Sequence, residues 1–413
     1  RWTLRQFVSD RRRGIAGPAT AQSERASLRT TQARTISHVK HLGLGGPGGA
    51  ARGVLGLTFQ RSLLEDPRGE LGVGTGGQGN LGLDAYGSPQ LRLPAWRGSF
   101  VDVHGALRLQ RVSIETIAGD QIVERVGHGR LSARAGLGIE QHLRDDRWRI
   151  DAGATATVVR SDIAASAANP LAGQARKSTD IGWAPRLAIR WRGHPHLDVR
   201  GSVGGYFRPP TLLELFGDRG FAVGNSDLEP ERGFATDLGI TWTSTFGARE
   251  RSFVRARIGG FLNLGQDTIT WVQAAQVARP INIGGSLAAG AESALFVSVY
   301  DDAFTLDANY TFLETENRGG IDGQSGKPLP GRPRHEGTAR ATTGWEFRQT
   351  RAPLEPRLTY TLDALAATYL DPSGRFSLPP RILHGVSMQL DIDRRMRVAF
   401  EVRNLANTIS TTW

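Results

Sequence analysis

The chain has 413 residues and a formal net charge of +11, with basic residues spread along its length and no pure basic run longer than Arg11 to Arg13, so nucleic acid is not a predicted partner. It contains no cysteine, which excludes a disulfide framework, a thiol nucleophile and a thiolate metal site within this sequence. Glycine, at 52 residues, is about twice as frequent as in average proteins, which favours strands and turns over helical bundles.

The amino-terminal segment, RWTLRQFVSD, contains neither an initiator methionine nor a signal-peptide core. No apolar run in the chain has the length that a membrane helix requires. We therefore expect the sequence to begin inside a longer protein.

Residues 43–48 and 72–77 both match the pattern GxGxxG. Neither match opens a helix within a strand–helix–strand unit, so both are interpreted as loop glycines and no dinucleotide cofactor is predicted. The sequence also lacks GxSxG, HExxH and Walker patterns. We predict no catalytic residues, no cofactor and no enzymatic activity.

Alternation with period two is the strongest structural signal. In TDLGITW, the apolar residues Leu238, Ile240 and Trp242 fall on one face, while Asp237 and Thr241 fall on the other. Such segments approach the roughly 9–11 residues of a tilted membrane strand, and we expect about 14 to 18 strands in all. The strands placed by this pattern are 131–144, 147–160, 183–193, 197–207, 234–245, 252–264, 290–300, 304–315, 336–348, 356–368, 382–392 and 396–405.

The connections between these strands alternate in length. Tight turns are predicted at 145–146, 194–196, 301–303 and 393–395, and long loops at 161–182, 208–233, 265–289 and 316–335. Outer-membrane barrels combine short periplasmic turns with long extracellular loops, so the predicted fold class is all-β, an antiparallel transmembrane β-barrel. Candidates for its aromatic girdles, with ordinary packing as the alternative, are Trp191, Trp242, Tyr310 and Trp345.

The polar faces of the predicted strands carry charged residues. The arginines expected to face the lumen are Arg186, Arg190, Arg200 and Arg255. They would either attract an anionic ligand or contact carboxylates and water. His194 and His196 flank a proline in a predicted turn, but they lack a third ligand, and no metal site is predicted.

The stretch GYFRPPTLLELFGDRGFAVGNSDLEPERG, at 205–233, is predicted to be an external loop. Pro209 and Pro210 end the preceding strand because proline cannot donate to a ladder. YFRPPTLLELFG followed by GNSDLEPER resembles, in order and spacing, the paired FRxP and NPxLxPE boxes of the TonB-dependent outer-membrane receptors. The residues that this resemblance assigns to a ligand-binding family-motif loop are Phe207, Arg208, Pro209, Glu214, Leu215, Asn225, Leu228, Pro230 and Glu231.

Further segments resemble the same family in the same order. They are RRRGIAGP (11–18), PINIGGSLAAGAE (280–292), NYTFLETEN (309–317) with LPGRPRH (329–335), and VRNLANT (402–408). Together they span most of the chain in one register.

The resemblance implies an outer-membrane receptor of a Gram-negative bacterium that takes up a scarce ligand by active transport. Such a receptor has a barrel of about 22 strands filled by a plug. We therefore expect residues 1–413 to form a barrel domain truncated at both ends, with the plug absent from this chain. The implied partners are outer-membrane lipid, TonB through a preceding plug, and a small-molecule ligand.

The ligand class stays open among siderophores, cobalamin and oligosaccharides. Haem receptors of the family carry a histidine between the two boxes, and residues 208–231 contain none, which disfavours haem. Two other readings of the chain are retained. A passive porin would share the alternating strands, and a surface enzyme or adhesin built on a barrel is the third alternative.

Overall fold

The computed structural model describes residues 1–15, 23–70, 76–118, 121–165, 174–217, 222–274, 277–319, 323–345, 354–392 and 396–408. Within these residues one antiparallel sheet of 17 strands accounts for most of the fold. Each strand of this sheet pairs with the sheet strand that follows it along the chain. The predicted all-β antiparallel class is confirmed, and the strand number lies within the expected range.

The first nine strands are β1 (Trp2–Gly14), β2 (Ser27–Leu42), β3 (Ala50–Asp66), β4 (Gly76–Pro94), β5 (Ser99–Ala118), β6 (Gln121–Leu143), β7 (Trp148–Ile163), β8 (Arg176–His194) and β9 (Leu197–Arg208). The four strands predicted between residues 131 and 207 correspond to β6 through β9. Strands β1 to β5 were not placed from the sequence, although Leu55, Leu57 and Phe59 on β3 show the same alternation and are exposed.

The remaining strands are β10 (Glu231–Phe246), β11 (Ser252–Ala274), β12 (Val277–Val299), β13 (Phe304–Asn317), β14 (His335–Gly344), β15 (Leu354–Leu365), β16 (Thr368–Tyr369), β17 (Ser377–Leu378), β18 (Arg381–Ile392) and β19 (Met396–Arg403). The predicted long loop at 265–289 is wrong. The backbone ladder between β11 and β12 continues from Thr268 opposite Ile283 to Ala274 opposite Val277, so the two strands form one long hairpin.

Strands β16 and β17 form a separate two-stranded hairpin inside the connection 366–380. Its turn is organised by Asp371, whose carboxylate accepts hydrogen bonds from the backbone amides of Ser373, Arg375 and Phe376 at 3.1, 3.0 and 2.7 Å. Burial acts to raise the pKa of Asp371, but the Ser373 hydroxyl and these amides outweigh it and lower that pKa below its ordinary value. The carboxylate is therefore ionised and holds the turn closed.

The connections fall on two sides of the sheet, here named the turn side and the loop side. The turn side carries the short connections 43–49, 95–98, 144–147, 195–196, 247–251 and 300–303. Its turns use left-handed backbone, as at Asp145, Asp146, Asp301 and Asp302, with φ of 55°, 65°, 56° and 68°, because aspartate tolerates that conformation better than most side chains. The turns predicted near 145, 195 and 302 are confirmed, and the one predicted at 393–395 lies outside the described residues.

The loop side carries four long connections, 164–175, 209–230, 318–334 and 366–380, whereas on the same side only two residues separate β5 from β6 and β11 from β12. Three of these correspond to the predicted loops at 161–182, 208–233 and 316–335. Their greater length matches the asymmetry between the two ends of outer-membrane barrels.

One face of the sheet presents an apolar belt. On β10, Leu238, Ile240 and Trp242 are 60%, 42% and 42% exposed, and the register places Ile258 of β11 beside Ile240. Large apolar side chains left this accessible across many strands need a nonaqueous neighbour, which identifies the belt as the lipid face. No helix in the described ranges has the length and apolarity to cross a membrane.

The four residues predicted as candidates for the aromatic girdles occupy different parts of the sheet. Trp191 packs against Trp148 near the turn side, with ring centroids 6.3 Å apart. Trp242 and Tyr310 are exposed on the lipid face, and Trp345 is exposed just beyond β14. Their role as membrane girdles stays a prediction. Among the described residues, the end strands β1 and β19 are each paired on one side only.

Candidate functional site

Residues 209–230, here named the motif loop, join β9 to β10 on the loop side. The loop begins with two prolines and then forms the short helix α1 (Leu212–Phe216). A capping box starts this helix: the Thr211 hydroxyl accepts from the Glu214 amide at 3.2 Å, and the Glu214 carboxylate accepts from the Thr211 amide at 2.6 Å. Gly217, with φ of 75°, ends it, since glycine adopts the left-handed region without strain.

An ion cluster closes the base of the motif loop. The Arg208 guanidinium donates to the Glu231 carboxylate and, at 3.1 Å, to both carboxylate oxygens of Glu214. Glu214 and Glu231 are each only 7% exposed, and the second oxygen of Glu231 accepts from the Ile269 amide of β11. Two buried carboxylates thus share one arginine. This ion cluster joins the first box, YFRPPTLLELFG, to the second box, GNSDLEPER, and both boxes to β11.

The second box is fastened by Asn225. Its side-chain amide donates to the Pro280 carbonyl of β12 at 3.0 Å, and its side-chain oxygen accepts from the Asp227 amide at 3.1 Å. The Asn225 backbone amide also donates to the Glu214 carbonyl at 2.8 Å. This buried asparagine therefore joins the helix, the second box and β12, because its donor and acceptor are both used.

Apolar packing completes the attachment. Leu215 and Leu228 are 5% and 3% exposed and pack in one cluster with Ile163 of β7 and Ile269 of β11, with Leu212 against its edge. Contacts of this kind stabilise in proportion to the apolar area removed from water. The motif loop is consequently anchored to strands on both sides of the β9–β10 pair.

Two further contacts extend the anchor. The Phe216 ring stacks on the His128 ring of β6, with centroids 4.5 Å apart. Asn282 of β12 accepts from the Glu229 amide at 2.9 Å and donates to the Glu229 carbonyl at 3.0 Å. Asn282 belongs to the segment PINIGG, so two segments that resemble the family separately in the sequence meet in space.

All nine residues assigned to the motif loop by resemblance lie in one region. The Phe207 ring lies 5.9 Å from the Arg232 guanidinium carbon and covers Gly182, where a Cβ would overlap it. Pro209 is half-buried and Pro230 is buried. The motif residues thus fix the loop to the barrel. Among the loop residues that the structure describes, those that face outward are Thr211, Leu213, Asp227 and Glu229.

Several contact residues were not found from the sequence. They are His128, Ile163 and Ile269, and each belongs to a strand far from the boxes in the chain. Only the register of the sheet brings them to the motif loop. Pro280 and Asn282 did carry a signal, because both belong to the segment PINIGG that resembles the family.

The inner face of β7 to β13 lines a cavity of about 1050 Å³ toward the turn side. All four predicted lumen arginines, Arg186, Arg190, Arg200 and Arg255, border it. Arg190 and Arg200 both donate to the Asp198 carboxylate, each from Nε at 2.9 Å. The wall carries six arginines and four aspartates, so it keeps a positive surplus that favours anionic groups in the lumen.

His194 is the last residue of β8 and His196 lies in the turn before β9, with their ring centroids 5.4 Å apart. His194 Nδ1 accepts from the His196 amide at 3.2 Å, and His196 Nδ1 faces the Thr243 carbonyl at 2.8 Å. Both Nδ1 atoms are therefore engaged by backbone. Within the described residues, no group of three or more His, Cys, Asp or Glu side chains has an arrangement that would hold a metal ion.

The 17-stranded sheet, the lipid face, the asymmetric connections and the anchored motif loop define a large outer-membrane β-barrel of the receptor type. The chain belongs to the family described as TonB dependent receptor-like, beta-barrel, whose family model matches residues 42–405. Its place is the outer membrane of a Gram-negative bacterium. The family consists of receptors and transporters, which confirms the prediction that the chain is not an enzyme.

Individual proteins resemble parts of the chain. The iron-regulated outer membrane virulence protein of Vibrio cholerae O395 is 27% identical over 172 residues, covering 37% of this chain and 25% of that protein. The FrpB iron transporter from Neisseria meningitidis has a TM-score of 0.68 at 13% identity, over 98% of this chain and 65% of that chain. The ferric yersiniabactin uptake receptor FyuA from Yersinia pestis has a TM-score of 0.64 at 16% identity, over 93% and 57%. The chain thus spans a quarter of the Vibrio protein and roughly three fifths of these receptors.

Proposed function

We propose that the protein containing this chain captures a small metal chelate of the ferric siderophore class at the cell surface and transports it inward with energy delivered by TonB. In this proposal the chain supplies the barrel, and a plug domain that precedes it contacts TonB. Membership of the TonB-dependent receptor family and the iron-related names of similar proteins support this proposal.

The observation that carries the proposal is the anchored motif loop. A loop held by a buried ion cluster and an apolar core presents its outer residues in a fixed arrangement, which lowers the entropy lost when a ligand binds. Leu213 is 47% exposed at the outer surface of α1, and Asp227 and Glu229 are exposed beside it. We assign ligand contact to this outer surface and anchoring to the nine motif residues.

The lumen supports an anionic cargo. Its wall has more arginines than aspartates on the described strands, and a charged cleft with low-dielectric walls concentrates ligands of the opposite sign. Ferric complexes of carboxylate or catecholate chelators carry negative charge. The inner wall would therefore favour them over neutral or cationic cargo.

Uptake of radioactive ferric iron tests this proposal in cells that produce the full-length protein. The iron is supplied with purified siderophores of the hydroxamate, catecholate and carboxylate classes, one at a time. We expect accumulation with at least one anionic chelate, its loss in cells that lack the gene, and its loss when a protonophore removes the energy source. Accumulation that persists with the protonophore would instead identify a passive porin, and would contradict the proposal.

A further inference from the structure

Three strands that run toward the loop side share a pattern on their outward face. On β3, β5 and β7 an exposed apolar residue is followed two positions later by an exposed arginine on the same face. The pairs are Phe59 with Arg61, Leu109 with Arg111, and Val158 with Arg160. The arginines therefore lie just beyond the exposed apolar residues of three alternate strands, although the part-buried Leu63 and Ile117 follow nearer the loops on β3 and β5.

The register places the three arginines in a row. Arg61 shares a ladder row, through β4, with Ser113, which lies two residues beyond Arg111. Arg160 shares a row, through β6, with Leu109, two residues before Arg111. Successive arginines are thus separated by two strands and two residues, about 12 Å at usual strand spacing and rise.

This row runs around the barrel instead of along it. An offset of one residue per strand is close to that produced by the strand tilt of a barrel, about 35–45°. The turn-side starts of β5 and β7 are displaced in the same direction. The three guanidinium groups consequently lie at about one height, directly above the apolar belt.

The row contrasts with two basic residues that lie nearer the loops and do have acidic partners. Nearer the loops on the same face, Arg125 pairs with Glu115, and Lys177 pairs with Asp162 at 3.2 Å. Among the described residues, no carboxylate lies within ion-pair distance of Arg61, Arg111 or Arg160, and none of the three makes a side-chain hydrogen bond there. Their charge is left for a group outside this chain.

We propose that Arg61, Arg111 and Arg160 bind the phosphate groups of phosphorylated lipid headgroups in the outer leaflet. Guanidinium forms paired hydrogen bonds with phosphate oxygens, and it loses less hydration than an ammonium on doing so. The position fits a lipid and not a soluble anion, because Phe59, Leu109 and Val158 lie directly below and would contact its acyl chains. The row is thus an annular lipid site, separate from the path of the transported ligand.

The test uses the full-length protein in detergent micelles and fluorescent diphosphorylated lipid A as the probe. The triple variant Arg61→Gln, Arg111→Gln, Arg160→Gln is compared with a control triple variant, Arg34→Gln, Arg52→Gln, Arg134→Gln. The control arginines lie on β2, β3 and β6, are exposed, and occupy the opposite face by register. Both variants lose the same charge, and retained circular dichroism and heat-dependent gel mobility establish that each barrel is intact.

We expect the row variant to bind lipid A on the order of a hundredfold more weakly, since each basic side chain near an anionic surface contributes roughly fivefold. The control variant should bind within about twofold of the parent protein. Lipid A stripped of its phosphates should bind the parent weakly, and inorganic phosphate should not displace the intact lipid. Equal loss in both triple variants, undiminished binding of the dephosphorylated lipid, or displacement by inorganic phosphate would each overturn the assignment.

Discussion

Replacement of Arg208 by alanine in the full-length protein is expected to release the motif loop from the barrel. The substitution leaves Glu214 and Glu231, both nearly buried, without their shared positive partner. Breaking a fully buried pair in this way costs about 3–5 kcal/mol. Because the Arg208 side chain is 36% exposed, solvent offsets part of that cost, and we expect about 2–3 kcal/mol.

Hydrogen exchange of the backbone amides measures this effect. A loss of about 2–3 kcal/mol corresponds to roughly a 30- to 150-fold fall in protection, confined to the motif loop and the adjoining end of β10. The matched control is Arg318→Ala, because Arg318 pairs with Glu316 and both side chains are largely exposed, so its loss should cost under about 1 kcal/mol. Unchanged exchange in the Arg208 variant would show that the ion cluster does not hold the loop.

Leu215→Ala is expected to loosen the same loop by a different route. Leu215 is 5% exposed within the apolar cluster, whereas Leu213, on the same helix, is 47% exposed. Truncating a buried leucine costs about 2–5 kcal/mol through lost burial and the cavity that remains, while an exposed leucine costs far less. The two substitutions make the same chemical change in one helix, so the difference between them isolates packing.

Measuring ligand capture by the two variants distinguishes a residue that anchors the motif loop from one that contacts the ligand. If a chelate taken up by the protein is identified, Leu215→Ala should weaken its capture together with loop protection. Leu213→Ala should leave protection unchanged and reduce capture only through direct contact. Equal exchange in the two variants would contradict the packing that the structure assigns to Leu215.

Much of the fold was predictable because alternation has a direct physical cause. A strand between lipid and lumen must place apolar and polar residues on opposite faces, and segments such as TDLGITW display this plainly. Strands β1 to β5 contain the same pattern, but glycines and polar residues on the outward face, such as Ser37 and Gly87 beside Leu55, interrupt it. The β11–β12 hairpin was missed for a related reason, since its extension depends on backbone pairing that leaves little side-chain signal.

The candidate site was predictable in position but not in role. The boxes at 205–233 located the motif loop, yet they could not show that Glu214, Asn225 and Glu231 point into the protein. Asn225 and Glu231 are satisfied by partners on β12 and β11 that lie about forty to sixty residues away in the chain. Such pairings follow from sheet register, which a motif read along the sequence does not contain.

Single-cysteine labelling of the full-length protein in intact cells tests the central claim most directly, since this chain contributes no cysteine of its own. We predict that Leu213→Cys reacts with an impermeant maleimide added outside, and that Arg147→Cys, on the turn side, reacts only after the cells are opened. Leu238→Cys should stay unreactive in the membrane, because Leu238 lies on the lipid face. It should react once detergent removes the lipid, since Leu238 is 60% exposed on the protein itself. Labelling of Leu238→Cys in intact membranes, or of Leu213→Cys only after the cells are opened, would contradict an outer-membrane barrel with the motif loop at the cell surface.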